Sequence, residues 1–199
     1  MNKTNFLLAD LRLISKSILF FVNAAGCYLS YLLILKDKNQ YSHLLRKFCV
    51  AGSHIDCNQV TKSRYSKLFG LIALAEAGMA YFVTVILWLM IAPLSSNWLA
   101  PLWWFILALL PFTFWSLFIQ AFLIQKWCLF CCAIVLFLWI NAGILYCQIS
   151  IDFAIPLVES ALLALLILVC TAAVMYARQA IPVIDMQNKG KWRVSNSTI

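Results

Sequence analysis

Five long apolar runs, separated by short polar breaks, limit what this chain can fold into more than any other feature. Lys16 and Lys36 bracket the first, an uncharged stretch from Ser17 to Leu35. A helix needs about 20 apolar residues to cross the hydrocarbon of a bilayer, so this run predicts a span over about 17–35. The second run, about 68–92, carries one charge, Glu76, and ends in Pro93-Leu94-Ser95-Ser96-Asn97, a polar turn that lipid excludes. The third, about 101–124, is uncharged, and Trp98, Trp103 and Trp104 near its start read as an interfacial aromatic belt. Pro111 inside it predicts a kink and not a boundary, because membrane helices tolerate proline. Runs over about 127–149 and 154–177 complete the set, with Glu159 read as interfacial at the start of the last.

Composition agrees. Residues are 64% hydrophobic and 11% charged, which excludes an ordinary soluble domain. The predicted fold class is all-α and integral to a membrane, a single domain over 1–177 followed by a polar tail, 178–199. Five spans put the two termini on opposite sides. The first run is longer than the apolar core of a signal peptide and no small-residue cleavage site follows it, so it is expected to remain as a span. There is no internal repeat and no glycine-rich phosphate loop, and the scattered basic residues give no nucleic-acid patch.

Between the first two spans lies the one sizeable polar segment, about 36–67. Leu44, Leu45, Phe48, Val50, Ile55 and Val60 make it too apolar for a free linker, so short helical turns packed as a cap over the mouth of the bundle are expected. The cap holds Cys49 and Cys57. His43 and His54, lone loop histidines, read as solvated.

Of the eight cysteines, Cys27, Cys147 and Cys170 fall inside spans without a partner at useful spacing and read as packing residues. Cys132 points about 100° round the helix from Cys131 and reads the same way. Cys128 and Cys131, in the stretch Trp127-Cys128-Leu129-Phe130-Cys131-Cys132-Ala133, are three apart and share one helical face. The helix that begins beside them offers unpaired N–H groups and a partial positive charge, which favour a thiolate. A disulfide closing so small a ring would constrain the unfolded chain very little, so redox chemistry explains the spacing better than structural stapling. Two cysteine pairs in one bundle form a relay able to pass two electrons between a soluble partner and the membrane. Two other uses of the same residues stay open: a noncatalytic scaffold whose loop disulfide staples the cap, and a zinc site of Cys49, Cys57, Cys128 and Cys131, although the seven residues between the cap cysteines exceed the usual knuckle spacing.

The segment Asp56 to Gly70, with Ser63-Arg64-Tyr65 and Phe69-Gly70, followed by an apolar span and later by the CxxC pair, resembles the vitamin K epoxide reductase family in its bacterial form. The resemblance covers about residues 15–177. It implies a four-helix bundle around a quinone, menaquinone or ubiquinone, with a fifth transmembrane helix. It also implies that a thioredoxin-like protein or domain exchanges with Cys49, that Cys57 shuttles to Cys128, and that Cys131 attacks the quinone ring or forms an adduct with it. Ser63 matches a family serine near the CxxC, Arg64 a basic residue, and Phe69-Gly70 the approach to the second span. The expected catalytic residues are thus Cys49, Cys57, Cys128 and Cys131. The expected quinone-binding residues are Cys131, Ser63, Glu76 and Phe69. Glu76 has an alternative as an interfacial carboxylate paired with Lys67 or Arg64.

Two departures qualify the likeness. Val135 stands where animal members carry a tyrosine, which favours a bacterial-style quinone oxidase over reduction of vitamin K epoxide. Only a short polar tail follows the last span, so the thioredoxin-like partner is expected as a separate protein or beyond the present sequence.

The resemblance also sets the orientation, with the cap on the extracytoplasmic side of a bacterial inner membrane. That leaves only Lys3, Arg12 and Lys16 of the 15 Lys and Arg on the cytoplasmic side, against the usual bias. Disulfide formation needs an oxidising compartment, and basic residues near thiolates and quinone favour their anions, so the redox chemistry decides the orientation.

Overall fold

The computed structural model describes residues 3–37, 57, 60, 63, 67–68, 72–91, 96–148 and 157–180. Five helices long and apolar enough to cross a membrane organise it. Helix α1 runs Lys3–Asp37, α2 Leu74–Ile91, α3 Ser96–Phe118, α4 Leu129–Gln148 and α5 Leu157–Ala180. The all-α expectation holds, with one local addition. Strands β1 (Lys67–Leu68) and β2 (Ile72–Ala73) pair antiparallel, Lys67 opposite Ala73 and Leu68 opposite Ile72. The second span therefore starts at Leu74 and not at Leu68, because the residues before it spend their backbone bonds on this short hairpin.

Helix α1 packs along α2 and α4, α3 packs against α4, and α5 lies outside against α2 and α3. The main core gathers Leu19 of α1, Tyr81, Phe82, Val85, Trp88 and Leu89 of α2, Leu102 and Ile106 of α3, Leu138 and Leu145 of α4 and Leu163 of α5. Large apolar side chains also cover the outside, among them Phe21, Met90, Phe122, Leu157 and Tyr176, as expected of helices solvated by lipid. Pro101 and Pro111 both sit inside α3 without ending it. Just past Pro111, the Thr113 hydroxyl donates to the Leu110 carbonyl at 2.7 Å and accepts the Trp139 indole N–H at 3.1 Å, tying α3 to α4.

Polar side chains hold the helices in register where hydrophobicity cannot, since lipid is as apolar as leucine. Asn23 of α1 and Asn141 of α4, both fully buried, exchange amide hydrogen bonds of 3.1 and 3.0 Å. Asn23 also donates to the Leu19 carbonyl, and Asn141 to the Tyr81 hydroxyl of α2. Three helices are thereby pinned at one level. Near it, Gly26 lets α1 approach α2 so closely that a Cβ there would collide with the Phe82 ring.

At one end of the bundle, Arg178 in the last turn of α5 forms an ion pair with Glu76 in the first turn of α2. The end of α5 therefore shares a side with the start of α2, the β hairpin and the end of α1.

Candidate functional site

Helix α4 begins at Leu129, which makes Cys128 its N-cap. The cap geometry is explicit: the Cys128 carbonyl accepts the Cys132 N–H at 3.0 Å, the first turn of the helix. Phe130 and Cys131 are then the second and third helical residues, whose N–H groups have no partner within the helix. Both point to the Cys128 sulfur, and the Cys131 thiol joins them. The Cys131 hydrogen bond pulls the Cys128 thiol below its ordinary pKa, aided by the two N–H groups and the positive charge of Lys36, while burial opposes the effect. Lys36 lies buried in the last turn of α1, one turn beyond Leu32 and Leu33.

Leu32 and Leu33 belong with Cys57, Val60, Cys128 and Phe130 to a single buried cluster, against which Cys131, Ile134, Ala75 and Ile124 pack. The cap and CxxC sulfurs of Cys57 and Cys128 are thus gathered into one apolar nest. Cys57 is disulfide-bonded, whereas Cys128 and Cys131 are free thiols. Cys57 and Val60 lie in helical backbone. Ser63 follows them, half-buried, its N–H and hydroxyl both donating to the Val60 carbonyl, at 3.3 and 2.8 Å. Cys49, Arg64 and Phe69 lie outside the described residues, as do His43, His54, Leu44, Leu45, Phe48, Val50 and Ile55.

Glu76 is buried at the third position of α2. One carboxylate oxygen accepts the Ala73 N–H at 3.1 Å, half of a capping box, and the other meets Arg178. Its cation comes from the fifth helix, and neither Lys67 nor Arg64 is needed to explain its burial.

Sequence reasoning misses two residues here. Gln120 sits in a π-helical turn, Ile119–Leu123, that continues α3. It is buried, and its Oε1 accepts the Cys128 N–H at 2.9 Å and the Cys132 thiol at 3.9 Å. The lone amide in the third apolar run, eight residues before Cys128, is the available signal. Lys36 enters the sequence reading only as the end of a span, though a lysine closing an apolar run just before a cysteine-bearing cap has a thiolate within reach.

One buried hydroxyl of α1 departs from the pattern of the others. Ser17, Thr84 and Thr171 donate their hydroxyls to the carbonyl four residues back, as membrane helices commonly arrange. Ser30 does not: it is fully buried and its Oγ has no hydrogen-bond partner among the described residues. It faces Gly78 of α2, where a Cβ would lie 3.2 Å from Ser30 Oγ and 3.8 Å from Ile134 Cγ2. Ile134 is one turn beyond Cys131. An orphan hydroxyl thus lies against a bare glycine where α1, α2 and α4 approach one another, a buried donor with spare hydrogen-bonding capacity.

The vitamin K epoxide reductase family matches residues 17–146. No curated protein and no solved structure was found to match the chain.

Proposed function

This chain belongs to the vitamin K epoxide reductase family and is an integral membrane oxidoreductase, and we propose that it oxidises a thioredoxin-like partner and delivers the electrons to a quinone. The observation that carries this reading is the shared burial of Cys57, held in a disulfide, with Cys128, a free thiol at a helix N-terminus. In this reading the cap disulfide joins Cys57 to Cys49, the pairing that the family resemblance implies.

The relay balances as follows. A partner thiolate attacks Cys49, releasing Cys57, and the partner's second thiol completes its own disulfide, leaving the cap as a dithiol. The Cys57 thiolate then attacks Cys128 of an oxidised Cys128–Cys131 pair. Cys131 leaves as thiolate, and Cys49 resolves the mixed disulfide, so the cap is reoxidised and the CxxC holds the two electrons. Cys128 and Cys131 close again as two electrons and two protons pass on. A quinone supplies the acceptor chemistry, becoming quinol. Cys131, Ile134, Ser30 and Gly78 would hold it, with the Ser30 hydroxyl free to donate to a ring carbonyl. The family resemblance adds Ser63 and Phe69 to the residues that would bind it. Glu76 would act through the frame, its two oxygens already engaged by Ala73 and Arg178.

The cap faces the extracytoplasmic side in this reading, where disulfides persist. A zinc site built from the four cap and CxxC cysteines is disfavoured because a sulfur in a disulfide is not a thiolate ligand. The test is loss of quinone absorbance when a reduced thioredoxin-like protein is added to the purified protein. Wild type should oxidise the partner in step with quinol formation, and Cys131→Ala should abolish turnover while staying folded. Unchanged turnover in Cys131→Ala would leave only a scaffold, and loss of bound zinc in that variant would restore the metal reading.

A further inference from the structure

An N-cap residue has two backbone groups to satisfy. Its carbonyl enters the helix, while its own N–H points back and in a capping box is taken by a Glu or Gln at the third helical position. Helix α2 follows that rule through Glu76 and the Ala73 N–H. Helix α4 cannot, because its third residue is Cys131, whose side chain is committed to the other thiol.

The acceptor comes instead from outside the helix. Gln120 Oε1 takes the Cys128 N–H at 2.9 Å, and the amide is braced at its other end by Nε2 donating to the Ser116 carbonyl at 3.4 Å. The turn that presents it is closed by an Ile124 N–H to Ile119 carbonyl bond of 2.9 Å, the i to i−5 pattern of a π bulge, a device common at functional sites. Gln125, with φ at 53°, then reverses the chain toward Cys128 in a left-handed conformation that a side-chain-bearing residue adopts only under constraint. Two unusual backbone features, close together in the chain, thus serve to bring one amide oxygen to one N–H.

The same oxygen lies 3.9 Å from the Cys132 sulfur. Three thiols at 128, 131 and 132 offer more than one pairing, and a hydrogen bond from Cys132 to a fixed acceptor keeps that thiol out of the exchange.

We propose that Gln120 is the positioning residue of the CxxC pair: its amide oxygen fixes the Cys128 backbone so that the sulfur stays under the first N–H groups of α4, and it sequesters Cys132 so that Cys128 pairs with Cys131. This rests on the redox reading above only in taking Cys128 as the exchanging sulfur. The groups that act on that sulfur are Cys131 and the Phe130 N–H of the same helix and Lys36 of α1, and Cys57 does not titrate while in its disulfide.

The experiment is alkylation of Cys128 by iodoacetamide, followed residue by residue by mass spectrometry from about pH 5 to 9, on the full chain with its cap disulfide intact and no quinone or partner present. Gln120→Leu and Gln120→Met keep the volume and remove the acceptor. Both should move the pH midpoint of Cys128 upward and slow its alkylation at neutral pH roughly tenfold. On oxidation, both should yield disulfides that contain Cys132. Cys132→Ala should leave the Cys128 midpoint where it is. A Gln120 variant that unfolds at the wild-type temperature and keeps the wild-type midpoint overturns the proposal. So does failure of both variants to fold, since Gln120 would then be a determinant of the fold. Because no turnover enters the measurement, this result stands apart from success or failure of the quinone assay.

Discussion

Arg178 and Glu76 join the last turn of α5 to the first turn of α2 by an ion pair, with Glu76 buried and Arg178 about a quarter exposed. The fifth helix buries little of its own surface among the others, so this pair is a main anchor of its redox-side end. It also sets the end of α5 beside the start of α2.

Removing the cation should therefore cost more than removing the charge on the acid. Arg178→Met strands a buried carboxylate and is expected to destabilise by roughly 2 kcal/mol, less than the roughly 3–5 kcal/mol of a fully buried pair because Arg178 is partly solvated. Glu76→Gln still accepts the Ala73 N–H and should cost less. Thermal unfolding in detergent ranks the two, and the reverse order would refute the anchor.

Cys131→Ala removes the largest influence that holds the Cys128 thiol below its ordinary pKa. With that pKa depressed, the thiolate and the stability it brings are present above the ordinary thiol value and are lost as pH falls through the folded one. In Cys131→Ala the alkylation midpoint of Cys128 should rise, and a Cys57–Cys128 mixed disulfide should accumulate under mild oxidation, because the thiol that closes on Cys128 is gone. Peptide mapping that finds Cys57 joined to neither Cys49 nor Cys128 would count against the relay.

Lys36→Met leaves an isosteric apolar chain where a buried ammonium stood. Alkylation of Cys128 at pH 7 should slow by up to about tenfold and recover at high pH, where the thiolate forms without help. Lys36→Arg should restore most of the rate. A loss of rate that persists at high pH would point to misplaced packing and not to charge.

Gly26→Ala drives a methyl into the fully buried Phe82 ring and is expected to destabilise by roughly 1–3 kcal/mol. Gly143, where a Cβ would meet nothing within 4 Å among the described residues, makes the control: Gly143→Ala should be neutral or stabilising by up to about 1 kcal/mol through helix propensity. Equilibrium unfolding of the two variants separates packing from propensity.

The five spans are legible because hydrocarbon imposes a minimum apolar length, which Ser17–Leu35 and its four successors satisfy in plain sequence. Which face of each helix turns inward is not, because residues on lipid and residues in the core obey the same preference: Phe82 is buried and Phe122 exposed with nothing in composition to separate them. The start of α2 is misjudged since Leu68 and Ile72 look alike whether they begin a helix or pair as strands. The CxxC stands out by spacing, and the helix-start argument about Cys128 is sound because capping is local. Gln120 escapes notice because its value depends on a turn of the wrong pitch followed by a left-handed residue, neither of which has a side-chain signature. The cation of Glu76 lies far downstream on the last helix, beyond what local pairing rules reach.

The interlocked amides of Asn23 and Asn141, tied to Tyr81, work as a rivet through three of the spans. Roughly three helical turns separate Asn141 from Cys131, so this pin sits well away from the sulfurs, whose end is tied separately through Glu76 and Arg178. In the proposed reaction, an opening that admits a quinone would be a splaying of the helix tips near the sulfurs, like the jaws of tongs about a fixed pin. The far leaflet would hardly notice a turnover.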